Sequence, residues 1–112
     1  MSPCEPHILY QEHRICIAQC KHCRRISLYY ANLLAGFSPE SFEGFCRNVQ
    51  NTDFDEFGML FPEGEKNIVL QTCHCDIQFT FTRHEYEQLR HALAESQLLL
   101  QVQQVLHQKP SK

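Results

Sequence analysis

The 112 residues predict an α+β fold: an antiparallel sheet of four to five strands with two helices on one face, in the order ββα-(β)ββα. Three observations carry this expectation. Residues 13–19, 26–31 and 76–82 alternate side chains with a period of two, as strands do. Phe37-Ser38-Pro39-Glu40 and Thr82-Arg83-His84-Glu85 are helix starts, each following a strand pair. Phe42, Phe45, Cys46 and Val49 then recur at i, i+3, i+4 and i+7, the spacing of one helix face.

In chain order, residues 1–6 hold two prolines and no periodicity, and with 109–112 they read as flexible tails of a single domain spanning 1–112. Ile15 and Ile17 alternate with Cys16 and Ala18 in a strand apolar on both sides, hence interior. A turn at Cys20–Cys23 leads to a second strand through Ile26, Leu28 and Tyr30, which makes the pair a hairpin. Ser38 caps the first helix, with Pro39 at its first position and Phe37 and Phe42 placed as a hydrophobic staple; it ends near Asn51.

Residues 57–61 stay open between a short strand and an apolar plug in the acidic loop formed by Asp53, Asp55, Glu56, Glu63 and Glu65. Phe61-Pro62-Glu63-Gly64 suits a type I turn. Residues 67–73 form a strand, and 76–82 another with Ile77, Phe79 and Phe81 inward. Thr82 and Glu85 make a capping box, Phe81 and Tyr86 a second staple, for a long helix reaching about Gln108. Its second half carries Leu98, Leu99, Val102, Val105 and Leu106, more apolar surface than one sheet can cover. That excess predicts a partner protein or a second copy of the chain, a homodimer, on this helix.

Composition narrows the function. With 43% hydrophobic and 21% charged residues the chain is an ordinary globular one, large enough for a core without disulfides. A net charge of -3 argues against nucleic acid and anionic membranes as partners. The first residues show no export signal, and no apolar run reaches the roughly 20 residues that span a bilayer, so the expected compartment is the cytoplasm. Phosphate-binding glycine loops and the G-x-S-x-G motif are absent, which points away from the common enzyme classes. Asp53, Asp55 and Glu56 lack the glycine and terminal glutamate of a calcium loop.

The seven cysteines, an odd number, read as reduced thiols or metal ligands. Cys16 and Cys46 have apolar neighbours and belong to the core. Cys20-Lys21-His22-Cys23 and Cys73-His74-Cys75 are the dense clusters of soft ligands, each expected at the tip of a strand pair. Zn2+ takes four thiolate or imidazole ligands in a tetrahedron, which makes Cys20, Cys23, Cys73 and Cys75 the candidate metal set, with His22, His74 and Cys4 as alternates. The two tips meet only if residues 57–61 form a strand, because that strand decides at which end of the sheet Cys73 emerges. Otherwise the cysteines are turn residues and small buried hydrophobes. A third reading is thiol redox or metal handling by Cys20 and Cys23, since Lys21, His22, Arg24 and Arg25 favour thiolate; against it, the pair sits between strands instead of opening a helix.

Ile15-x4-Cys20-x2-Cys23, followed by Leu28, Tyr30-Ala-Asn-Leu-Leu34 and Phe42-x2-Phe45, and later Ile77-x-Phe79-x-Phe81-Thr-x2-Glu85-x3-Leu89, resembles a group of small uncharacterised bacterial proteins classed as a domain of unknown function. The resemblance covers nearly the whole chain. It implies a cytosolic single-domain α+β protein without an established activity, with Cys20 and Cys23 as the feature carried over. The expected function is a small non-enzymatic interaction or regulatory module, with a zinc site at the two cysteine-bearing tips.

Overall fold

A computed structural model describes residues 5–71 and 78–107. The elements run β1 (Pro6–Glu12), β2 (Ile15–Cys20), β3 (Ile26–Tyr30), β4 (Leu33–Phe37), α1 (Pro39–Asn51), α2 (Phe54–Phe57), β5 (Met59–Leu60), β6 (Lys66–Gln71), β7 (Gln78–Thr82) and α3 (Arg83–His107). The α+β class is as expected. The strands divide into two antiparallel sheets, a four-stranded meander β1-β2-β3-β4 and a three-stranded β5-β6-β7. Two strands lie outside the expectation: β1 takes Pro6 out of the anticipated tail, and β4 extends the first hairpin by one strand.

The anticipated hairpin is β2 with β3, pairing Ile17 with Leu28 and Ile15 with Tyr30. Lying between β1 and β3, β2 buries Ile15, Ile17, Ala18 and Cys20. Both helix starts form as their side chains dictate. Ser38 accepts from the Ser41 N–H at 3.1 Å while the Ser41 hydroxyl accepts from the Ser38 N–H at 2.9 Å. Glu85 and Thr82 exchange the same pair of bonds at the head of α3. The two staples close as ring contacts, Phe37 with Phe42 at 5.7 Å and Phe81 with Tyr86 at 6.4 Å.

Residues 59–60 are a strand, with Met59 opposite Asn67 and Leu60 opposite Lys66. The Gly64 N–H donates to the Phe61 carbonyl at 2.8 Å, closing the turn around Pro62. Gly64, at φ 89, supplies the left-handed residue that lets the Phe61 N–H reach the Glu65 carbonyl. Before β5, Asp53 caps α2, and Asp55 forms an ion pair with Arg83 at the start of α3.

One core joins both sheets: Ile15, Ile17, Ile26 and Leu28 from the first, Ile68, Leu70, Phe79 and Phe81 from the second. Phe42, Cys46 and Val49 of α1 and Tyr86, Leu89, Ala92 and Leu93 of α3 complete it. Among the described residues, no helix is long and apolar enough to cross a membrane.

Candidate functional site

The turn between β2 and β3 is built from the backbone outward. The Cys20 N–H donates to the Arg25 carbonyl at 2.9 Å, and the Arg24 N–H donates to the Cys20 carbonyl at 3.0 Å. Closing so tight a loop puts Arg24 at φ 69, a conformation glycine would adopt more readily. Its cost is offset by Gln19, whose buried amide donates to the Arg24 carbonyl at 3.0 Å. The Cys23 N–H then points at the Cys20 sulfur, 3.4 Å away. A sulfur accepting a peptide N–H has part of the hydrogen bonding a thiolate needs when it coordinates a cation.

The N-terminal strand is tied to the same turn. The Lys21 N–H donates to the Glu5 carbonyl at 2.9 Å, and the His22 Nε2 lies 3.7 Å from the Glu5 carboxylate. Cys20 is buried and Cys23 exposed, so the pair presents one inner and one outer sulfur. Cys20, Lys21 and Arg24 also line a cleft of about 620 Å³ whose other side is the second half of α3, at Leu100 and Gln104.

The turn brings together Cys20, Cys23 and His22 of the sequence-predicted set. Cys73, Cys75, His74 and Cys4 lie outside the described residues, so their distances to the turn are not part of the geometry. The strands flanking 72–77 do have a defined direction. Phe79 packs on Phe45 at 6.0 Å and Phe45 on Phe37 at 5.1 Å, while Phe37 pairs with Ile26, next to the cysteine turn. Phe81 instead meets Tyr30 at 5.0 Å, at the far end of β3. β7 therefore starts, and β6 ends, at the end of the molecule that carries Cys20 and Cys23. Gln71 and Phe79 line one cleft together with Arg25. Among the described residues, no set of three or more His, Cys, Asp or Glu side chains is placed to hold a metal ion.

The remaining thiols divide by depth. Cys46 is fully buried and its thiol is pushed up to about 12 by that burial, with Glu43 adding to the shift. Cys16 is only half-buried, opposite Tyr29 on the other face of β2, and burial raises it as well. Neither thiol is disposed toward ionisation. Gln19 and Glu5 were not legible as site residues. The one available signal was a lone amide in the otherwise apolar strand leading into Cys20.

Along α3, Leu98, Leu99, Val102, Val105 and Leu106 are all exposed, up to 75% at Leu106. The inner face of the same helix, Tyr86, Leu89, Ala92 and Leu93, is fully buried, so the apolar stripe beyond it is not used by the sheets.

A family model, DUF6686, described as a family of unknown function, matches residues 2–109. No curated protein and no solved structure matches the chain.

Proposed function

The chain belongs to DUF6686, a family of unknown function, and from that premise we propose that it is a small cytoplasmic, non-enzymatic interaction module stapled by zinc. The proposed ligands are Cys20, Cys23, Cys73 and Cys75, with His22, His74 and Cys4 as alternates. The observation that carries the reading is the peptide N–H of Cys23 directed at the Cys20 sulfur, the arrangement in which two cysteines of a hairpin turn can share one ion. It is supported by β6 and β7, whose ends flanking 72–77 lie at the same end of the molecule. A metal there would join the two sheets, which share a core but, among the described residues, no strand pairing.

Metal analysis of protein purified without added zinc tests this. About one zinc per chain is expected, and Cys23→Ser should lose the metal together with much of the thermal stability, since metal binding energy is folding energy. Metal-free, fully stable protein would remove the zinc. The second reading, thiol redox or metal handling by Cys20 and Cys23, is favoured by the exposure of Cys23 among Lys21, Arg24 and Arg25. Rapid alkylation of Cys23 in metal-free protein would support it.

The module's partner surface is proposed on α3, where a second copy or another protein would cover Leu98, Leu99, Val102, Val105 and Leu106. A concentration-dependent dimer in sedimentation, abolished by Val102→Glu, is expected for self-association. A monomer at every concentration leaves only another protein as the partner.

A further inference from the structure

The first sheet ends in an open edge. At one end of the β2–β3 pair the Cys20 N–H donates to the Arg25 carbonyl, and at the other the Ala31 N–H donates to the Arg14 carbonyl. Bonded positions alternate along antiparallel strands, so Ser27 and Tyr29 bond toward β2 while Ile26, Leu28 and Tyr30 bond toward β4. Their partners Phe37, Ala35 and Leu33 are thereby satisfied. The N–H and C=O groups of Leu34 and Gly36 point the other way, and no described residue pairs with them.

That edge borders a groove of about 740 Å³, whose opposite wall is α1. Phe37, Phe45 and Phe79 supply its apolar surface, and Gly36 and Gly44 leave it unobstructed. Among the described residues, its one charged lining residue is Arg25, whose guanidinium lies over Gly36, 3.4 Å from where a Cβ would stand. In a chain of net charge -3 this is a local cation at one end of an apolar, edge-lined groove.

We infer that the groove takes an extended peptide segment of a partner protein, which adds to β4 as a fifth strand of the meander. Main-chain bonds to Leu34 and Gly36 hold the segment, as in strand addition generally. Cross-strand neighbours share a face, so the residues opposite Ala35 and Phe37 are apolar and meet Phe45 and Phe79. The residue opposite Gly36 carries a carboxylate that pairs with Arg25. The inference rests on the interaction-module reading and names a partner class for it, but it needs neither the zinc nor the α3 stripe.

A displayed library of random twelve-residue peptides, selected on the full chain and counter-selected on Gly44→Leu, tests this. Leucine favours a helix more than glycine does and its Cβ would meet only the Arg47 guanidinium, at an ordinary contact distance of 3.9 Å, so the variant should fold with an unchanged or higher melting temperature while filling the groove. Expected are enriched peptides with alternating apolar residues and an acid, at least tenfold weaker on Gly44→Leu and on Arg25→Glu, that shift and protect the Leu34 and Gly36 amides in NMR. Enrichment of no peptide on the wild type over Gly44→Leu overturns the inference, as do binders that leave those two amides unperturbed. So does a dimer that Gly44→Leu dissociates, since the edge would then pair with a second copy. Loss of the groove with zinc and the α3 contact intact would leave the module reading standing.

Discussion

The hydroxyl of Tyr86 donates to the carbonyl of Val49 at 2.7 Å, with the Thr52 carbonyl a further acceptor at 3.2 Å. The last carbonyls of a helix have no partner within it, and here a fully buried phenol on α3 serves the end of α1. Gln50 repeats the tie in the other direction, its amide donating to the Arg90 carbonyl at 3.0 Å. Tyr86→Phe keeps the ring in the core and removes only the donor. It should cost about 1 kcal/mol in urea denaturation, the net contribution of one hydrogen bond, because the Val49 carbonyl still accepts from the Thr52 N–H at 3.4 Å.

Gly58 ends α2 with its α-carbon against the chain before it. A Cβ there would stand 2.7 Å from the Phe54 carbonyl and 2.9 Å from the Lys66 side chain. The carbonyl cannot yield, because it already accepts the Gly58 N–H at 2.8 Å. Gly58→Ala should therefore cost roughly 2 kcal/mol, within the range for overpacking, and loosen α2 and β5 first. Faster hydrogen exchange over 54–60 than over β2 and β3 would show it.

Alkaline pH should unfold the protein through groups that the fold keeps neutral. Burial holds the Cys46 thiol at about 12 against its ordinary 9.0. Tyr30 is likewise raised to about 12, first by burial and then by Glu85. Both folded-state values lie above the unfolded ones, so the unfolded chain releases these protons first. Their stabilisation is complete below the unfolded values and is lost as pH climbs toward 12. The urea midpoint should hold steady up to about pH 9 and fall above it, with a shallower initial fall in Cys46→Ala.

The turn from β1 to β2 is His13-Arg14, both left-handed at φ 55 and φ 66. A two-residue hairpin loop of this kind prefers glycine or asparagine, since other side chains cost roughly 1 kcal/mol each in that region. The Arg14 carbonyl accepts from the Ala31 N–H at 2.9 Å, a backbone bond that survives substitution. Arg14→Gly should accordingly raise the melting temperature by a few degrees. A lower value would mean that the Arg14 side chain holds the turn.

The same turn shows why the sequence disclosed β2 and β3 but not their neighbours. In β1 the register shifts between Ile8 and Tyr10, a bulge that buries Leu9 and Tyr10 side by side and erases the two-residue alternation. In β4 Leu33 and Leu34 are both exposed, Gly36 weakens strand propensity, and the preceding turn has Ala31 at φ 56 where glycine would have marked it. The helices were legible because staple and cap are short-range chemistry, written within six residues at Phe37–Phe42 and again at Phe81–Tyr86. Of the candidate site, the cysteine turn could be read, whereas the strand at Met59–Leu60 stays open against an apolar plug, because two paired residues are too short a run to show a two-residue period. Gln19 and Glu5 could not, because their roles depend on which backbone groups the tertiary fold brings to them.

α3 follows every other described element in sequence, and it packs on β1, β2, β6 and β7. The meander β1 to β4 pairs only neighbours in sequence, so it can close early, at small entropic cost per step. During synthesis, the parts of β1, β2, β6 and β7 on which α3 packs thus stay uncovered until residues 83–107 have left the ribosome. A nascent chain stalled just before Arg83 would carry a finished sheet still lacking the cover that Tyr86, Leu89, Ala92 and Leu93 supply, the kind of species on which chaperones act.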